Sequence, residues 1–305
     1  MVRRSRRRGR KIDGILVLDK AAGLSSNAAL QEVKKLFAAS KAGHTGSLDP
    51  LATGVLPLCL GEATKVSQFL LDADKHYRTK IKLGERTDSG DSTGEVIETC
   101  TEYSVSGVEI ENALTSFRGD IEQLPPMYSA LKVKGVPLYK MARKGIELER
   151  EKRRVTVYEI TLRDFSDPIL ELDIACSKGT YIRTIADDLG QALGCGAHII
   201  QLRRTRAGVF SEEDCVNIGY LQKVKEESGL DAIDEILTPM DQAIKELPGV
   251  NLPSITASYV KNGQAVILRH LPCEGLVRLY EEEQFIGIGI IDDDGKVAPR
   301  RLVVS

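Results

Sequence analysis

Residues 43–65 read GHTGSLDPLATGVLPLCLGEATK, and the reading of the fold turns on what the first twelve of them do. Three glycines, one histidine, one aspartate and one proline share positions 43–54. Glycine opens backbone conformations closed to other residues, and proline fixes its own. Taken locally, Asp49 before Pro50 is a good helix start, with aspartate as the cap and proline at the first helical position. Spacing alone favours that reading. The competing one is an active-site loop that presents His44 and Asp49 five residues apart. His44, Ser47 and Asp49 make no plausible catalytic triad, because triad members usually arrive from distant segments.

Outward from this stretch the chain alternates helical and extended patterns. GILVLDK (14–20) reads as a buried strand. SSNAALQEVKKLF (25–37) reads as a helix capped by its Ser and Asn residues, with Leu30, Val33 and Phe37 at helical spacing. ATKVSQFLLDAD (63–74) reads as a second helix. HYRTKIKLG (76–84) sets Tyr77, Thr79, Ile81 and Leu83 against Arg78, Lys80 and Lys82, a strand with one buried and one charged face. Residues 84–96 form a polar, turn-rich loop, and 108–120 a helix. Residues 123–155 carry Pro125, Pro126 and Pro137 and end in basic residues, which reads as a long excursion from the main body, open to movement. Residues 155–165 and 169–177 pair as strands. Residues 178–194 run from a turn into a helix with Ile182, Ile185, Leu189 and Leu193 on one face. Past residue 250, LVRLYE, QFIGIGIID and RRLVVS form a small β-rich module.

Composition narrows the function classes. The 305 residues are 42% hydrophobic and 28% charged, ordinary for a chain that buries a real core. No apolar run of membrane-spanning length exists and no signal-peptide core follows the basic start, so the expected location is the cytoplasm. The six cysteines are scattered, without CxxC, and read as buried apolar thiols. The four histidines are dispersed, so no metal is implied. Neither GxGxxG nor GxxxxGK[ST] is present, which leaves nucleotide cofactors without support. The net charge of −2 hides segregation: residues 1–11 carry seven Arg or Lys and no acid, and residues 211–247 carry ten acids against three lysines. Further basic patches lie at Arg150, Lys152, Arg153 and Arg154 and at Arg203, Arg204 and Arg206, a pattern that suits a one-sided nucleic-acid surface.

Several ordered blocks then carry a resemblance. GHTGSLDPLATGVLPLCLGEATK resembles the catalytic-aspartate motif of the bacterial tRNA pseudouridine synthase B (TruB) family. GILVLDK and GLSSN, KHYRTKIKLGERTDSGDSTG, PPMYSALKVKGVPLYKMARKGIE, CSKGTYIRTIADDLGQALGCGAH and LRRTRAG resemble its other motifs, in order, from about residue 12 to 210. Ala21 departs from the proline that commonly follows Asp-Lys.

The resemblance implies a mixed α+β pseudouridine synthase catalytic domain over 12–250, a mixed antiparallel sheet with flanking helices. It adds an RNA-clasping insertion at about 123–155 and a PUA-like RNA-binding module over 251–305, behind a basic tail at 1–11. It implies isomerisation of uridine 55 in the T loop of tRNA, by base flipping and without cofactor or metal. Asp49 is the implied nucleophile, acting at the sugar C1′ or through a glycal intermediate. Arg183 opposes the pKa rise that burial imposes on Asp49. Tyr77 lays its ring on the uracil, its hydroxyl within reach of the C5 proton. Tyr181 and Leu202 lie near the base, Lys20 belongs to the site, and His44 fills the space left by the flipped nucleotide. The implied partner is the tRNA T arm, met by a monomer that needs no protein partner or membrane. Two rivals stand beside this reading: an RNA-folding chaperone, and a guide-RNA-dependent relative of the family.

Overall fold

The computed structural model describes residues 9–129, 131–133, 135–268, 271–272 and 274–303. Most of the basic tail, and the predicted thiol Cys273 with His270, lie outside the described residues. The first third of the chain contributes strands β1 (Gly14–Lys20), β2 (Ala42–His44), β3 (Thr53–Leu60), β4 (Lys75–Leu83), β5 (Glu85–Thr87) and β6 (Val96–Thr99), with helices α1 (Ser26–Leu36) and α2 (Ser67–Asp72) between them. The middle third adds α3 (Gly107–Thr115), β7 (Gly119–Gln123), the short hairpin β8 (Lys132–Val133) and β9 (Val136–Pro137), α4 (Leu138–Ala142), β10 (Arg153–Ser166), β11 (Ile169–Cys176), α5 (Ile182–Ala192) and β12 (Ala197–Ala207). The remainder holds β13 (Phe210–Ser211), α6 (Ile218–Asp234), β14 (Gly249–Asn251), α7 (Ser254–Lys261), β15 (Val266–Ile267), β16 (Gly275–Glu281), β17 (Gln284–Ile291) and β18 (Lys296–Leu302).

The main sheet runs β1-β3-β12-β4-β11-β10-β7, with β2 beside β3 and β13 beside β12. Its pairings are antiparallel except β12 against β3, which is parallel. β12 is thus inserted between β3 and β4, two strands that the chain completed long before. Along β1, Leu16 and Leu18 face one core while Ile15 and Val17 face another, as the period of two in a strand requires. The larger core is closed by α1, α3, α5 and α6 through Val33, Ile110, Ile185 and Leu221. The smaller core takes Val55, Cys59, Leu70 and Phe210, and reaches Ile288 of the C-terminal sheet. That second sheet runs β14-β16-β17-β18-β15, and α7 adds Ala257 and Val260 to its core.

The expected strands at 14–20, 76–84, 155–165 and 169–177 are present, as are the helices within 25–37, 108–120 and 178–194. Ser25 caps α1 by accepting from the Ala28 N–H at 3.1 Å. The alternation on β4 holds, with Thr79, Ile81 and Leu83 buried between half-exposed Arg78, Lys80 and Lys82.

Four expectations are corrected. No helix starts at Asp49: the Pro50 carbonyl is taken by the Gly23 N–H at 2.7 Å, and the chain enters β3 at Thr53. The expected helix over 63–74 divides into a tight turn at Gly61–Lys65 and the short α2. The loop at 84–96 contains β5 and leads into β6. Cys100 and Cys215 are half-buried, while Cys59, Cys176 and Cys195 are buried as expected.

The basic patches are also redistributed. Arg204 is 1% exposed. Arg203 is engaged by Asp19 at 3.0 Å and by Glu212. Arg150 donates to the Pro125 carbonyl and to Glu147, each at 3.0 Å, and so ties the two ends of the excursion together. Arg10, at the described end of the tail, pairs with Asp234 of α6. Arg153 and Arg154 remain exposed at the start of β10.

Candidate active site

Asp49 sits on an irregular loop between β2 and β3 that is pinned from several sides. The Ser26 hydroxyl accepts from the Leu48 N–H at 2.7 Å and donates to the Leu48 carbonyl at 3.1 Å. Thr45 donates its N–H and its hydroxyl to the Pro57 carbonyl. Beneath the loop the Lys20 ammonium, with no exposed surface, donates to the carbonyls of Ala21 (2.9 Å), Leu24 (2.7 Å) and Pro50 (3.5 Å). Gly46 adopts φ 122°, a conformation open to glycine.

The loop faces a cavity of about 320 Å³, at the lower end of the range for ligand pockets. Asp49, Tyr77, Tyr181, Arg183 and Leu202 all line it. Tyr77 comes from β4, Leu202 from β12, Arg183 from the first turn of α5, and Tyr181 from the residue that precedes that helix. The start of α5 is fixed by Gln123, which accepts from the Tyr181 N–H at 3.0 Å and donates to its carbonyl at 3.2 Å.

Arg183 organises the cavity wall. Its side chain is 5% exposed, and its Nε lies 2.9 Å from Asp49 Oδ2 and 3.8 Å from Asp91 Oδ2. Its two terminal nitrogens donate to the carbonyls of Ser89 (2.8 Å) and Tyr128 (2.7 Å). Each nitrogen of the fork therefore has a fixed partner, which holds the guanidinium in place. Asp91 is itself held by the Ser89 hydroxyl, the Thr93 N–H and the Thr93 hydroxyl.

Asp49 keeps 39% of its side chain open to the cavity, so the protein encloses it by pocket walls rather than by direct packing. That enclosure raises its pKa, with Arg183 pulling the other way and Asp91 adding to the rise. Burial outweighs the guanidinium in the unliganded site. Burial likewise pushes the Tyr77 phenol up, against the pull of Arg204. Lys75, on the cavity wall, is brought down to about 8 by burial and then by Arg204. Its ammonium donates to the carbonyls of Leu70, Leu71 and Ala73, which close α2.

Two expected site residues do not line the cavity. Lys20 lies beneath the loop as a brace, and burial lowers its pKa to about 8. The amine has no exposed surface, and its charge acts on Asp49, whose pKa it pulls down. His44 ends β2, half-buried, with its Nδ1 closed off and unpartnered. Burial and then Arg204 lower its pKa, which favours the neutral ring. Residue-by-residue reading missed Asp91, Gln123, Ser129 and Arg204. Asp91 lay within a quoted motif, TDSGDSTG, whose density of hydrogen-bonding residues was the available signal.

The chain's matches to known proteins agree with this geometry. Residues 34–182 match the model for the TruB family pseudouridylate synthase N-terminal domain. Residues 183–245 match the tRNA pseudouridylate synthase B C-terminal domain, and residues 248–303 the model described as pseudouridine synthase II TruB, C-terminal. The chain is 53% identical over 311 residues to the tRNA pseudouridine synthase B of Tolumonas auensis, covering 99% of this chain and 96% of that protein. It is 54% identical over 307 residues to that of Vibrio vulnificus, covering 98% of each. Among solved structures it is similar to a chain of an H/ACA RNP bound to a substrate RNA containing 2′-deoxyuridine, with TM-score 0.72 and 25% identity over 96% of this chain and 85% of that one. It is also similar to a chain of a Cbf5-Nop10-Gar1 complex, with TM-score 0.71 and 28% identity over 96% and 84%. Fold, cavity and matches together define a pseudouridylate synthase. The chain belongs to the TruB family.

Proposed function

We propose that the protein converts uridine 55, in the T loop of tRNA, to pseudouridine. The observation that carries the reading is the Asp49 carboxylate, paired at 2.9 Å with an anchored Arg183 on the wall of a cavity of about 320 Å³. The relatives at 53% and 54% identity are named tRNA pseudouridine synthase B, which supports tRNA as the substrate.

The reaction cuts the bond from sugar C1′ to uracil N1, turns the base, and rejoins it through C5. It conserves every atom and is redox-neutral. Asp49 meets the sugar, by attack at C1′ or by assisting base departure through a glycal. Arg183 holds the carboxylate and offsets the rise that burial imposes on it. The target uridine leaves its stack at a cost of a few kcal/mol, and His44, a neutral ring, fills the vacated space. Tyr77 lays its ring on the base, with Tyr181 and Leu202 as neighbouring walls.

The 123–155 insertion clasps the T arm, with Arg153 and Arg154 on its phosphates, and RNA shape gives the selectivity. The C-terminal module, PUA-like over 251–305, meets the acceptor end, and 12–250 is the catalytic domain. The enzyme works as a monomer in the cytoplasm, without a protein partner. Among the described residues no helix is long and apolar enough to cross a membrane.

The test is tritium release from an unmodified tRNA transcript carrying C5-tritiated uridine, with wild type beside Asp49→Ala. Release of one equivalent, dependent on Asp49 and on the T-loop uridine, is expected. Binding without release would move two rivals forward: the chaperone, and the guide-dependent reading suggested by the likeness to the H/ACA chain.

A further inference from the structure

Tyr128, in the 123–155 excursion, is fastened to the body at both ends. Its carbonyl accepts from Arg183 Nη2 at 2.7 Å, and its hydroxyl donates to Asp88 Oδ2 at 2.8 Å. Asp88 is itself fixed in the loop over 84–96. Its N–H donates to the Glu95 carbonyl at 3.0 Å, and its Oδ1 accepts from the Glu95 N–H at 2.9 Å. The next two residues close on the same arginine. The Ser89 carbonyl takes Arg183 Nη1, and a Cβ added at Gly90 would lie 3.3 Å from the Arg183 Cβ.

Inside the excursion the Ser129 carbonyl accepts from the Tyr139 N–H at 3.0 Å, and the Leu131 carbonyl from the Leu138 N–H at 2.8 Å. The backbone that presents the Tyr128 carbonyl is therefore tied to α4. Among the described residues that line the cavity, only Ser129 comes from this segment. The excursion thus reaches the site through one dipeptide, Tyr128-Ser129. We propose that Tyr128 is a positioning residue: by meeting Arg183 with its carbonyl and Asp88 with its hydroxyl, it makes the seating of the excursion part of the device that aims Arg183 at Asp49.

This rests on Asp49 being the nucleophile of the proposed isomerisation. A guanidinium held at all its nitrogens keeps its direction. The Arg183 side chain is only 5% exposed, so a terminal nitrogen that loses its acceptor is left unpaired in a dry place, which is costly. With Tyr128 out of its seat, Nη2 has no acceptor there and the fork is free to turn about its remaining bonds. The charged groups that face Asp49 are Arg183 of α5, Asp91 of the 84–96 loop and Lys20 of β1. Arg183 exceeds Lys20 in drawing the Asp49 pKa down. A looser Arg183 therefore lets that pKa rise further.

The test compares wild type, Tyr128→Phe and Tyr128→Gly in single-turnover isomerisation of a T-arm RNA at saturation, across pH, with RNA Kd measured alongside. Tyr128→Gly removes the hydroxyl clip and frees the backbone. It should slow the step by about tenfold or more and move the acid limb of the profile to higher pH. Tyr128→Phe should shift both in the same direction by less. A loss confined to Kd would make Tyr128 a holder of RNA alone and overturn the proposal. A slowed step with the limb in its wild-type place would overturn it too, as would two variants that match wild type.

A second readout needs no turnover. Coupling between two sites is reciprocal. Arg183→Lys, which loses the fork, should therefore speed hydrogen exchange of the amides over 135–146 in the free protein by about fivefold or more, as should Tyr128→Phe. Exchange at the wild-type rate in Arg183→Lys overturns the proposal. If Tyr128→Gly does not fold, Tyr128→Phe and Arg183→Lys still decide. If wild type releases no tritium, the functional reading fails, while the exchange comparison still tests the Tyr128–Arg183 link.

Discussion

The Nε of Arg183 lies 2.9 Å from one oxygen of Asp49, and the Arg183 terminal nitrogens are spent on the carbonyls of Ser89 and Tyr128. One guanidinium thus joins the candidate nucleophile to two other segments of the chain. Arg183→Lys keeps the charge but loses the fork. It should lower the single-turnover rate by about 10²-fold or more while leaving RNA binding near wild type. Loss of binding in step with rate would assign Arg183 to RNA contact instead. Asp49→Ala should lower the rate by at least about 10³-fold.

Acid should inhibit the enzyme earlier than an ordinary aspartate would. On the proposed reading the ionised form of Asp49 is the reactive one, and burial, against Arg183, raises its pKa above 3.8. The rate therefore holds at high pH and falls as pH drops through that raised value. Asp91 adds to the rise, so Asp91→Asn should move the acid limb to lower pH. A pH–rate profile of both proteins checks this, and a limb in the same place counts against Asp49 as its source. The folded state also holds the Asp49 proton more tightly than the unfolded chain does. That contribution to stability is present at low pH and is lost as pH rises, so Asp49→Asn should be at least as stable as wild type near neutral pH.

Lys20 should behave as a brace. Lys20→Met leaves the Ala21 and Leu24 carbonyls without this donor, at a cost of about 1–3 kcal/mol, and loosens the loop below Asp49. The rate should fall while RNA Kd stays unchanged, since the amine has no exposed surface. A weakened Kd in filter binding would return Lys20 to the role of a substrate contact.

RNA affinity should be carried by the arginines that remain free at the surface. Arg153→Ala and Arg154→Ala should each weaken binding across RNA sequences and reduce the salt slope by about one. Arg203→Ala, whose guanidinium is occupied by Asp19 and Glu212, should leave the slope intact. Salt titrations of the three variants separate these outcomes.

Gly54 has no room for a side chain. Its φ is 97°, and an added Cβ would lie 2.2 Å from the Arg204 carbonyl oxygen. Gly54→Ala should cost about 3 kcal/mol or more in denaturant unfolding.

Much of the frame was legible because it depends on local pattern. The alternation of β4 and the helical spacing after Ser25 need no distant partner to be read. Asp49, Tyr77 and Arg183 were nominated by motif resemblance, and the fold brings all three to one cavity. The Asp49-Pro50 helix start failed because tertiary bonds to Gly23 and Lys20 claim the Pro50 carbonyl. The arginines misled for a similar reason. In LRRTRAG a surface patch and a buried strand look alike, since nothing local says that Arg204 will meet Tyr77 across a sheet. Charge counts cannot reveal that Arg150 turns inward to Pro125.

The place of β12 has a consequence for synthesis. Thr53 and Leu202 meet across the sheet although 149 residues separate them. A nascent chain halted before residue 197 would carry Asp49, Tyr77 and Arg183 yet leave a slot between β3 and β4. Nothing would then meet the Gly46 carbonyl or the Val55 carbonyl, both of which take Arg204 donors in the finished sheet. Such closure between distant segments is slow and comes late in folding. The polypeptide would acquire its candidate catalytic groups early and its competence only when one strand slides home, so a growing chain would leave tRNA unmodified until the central sheet is sealed.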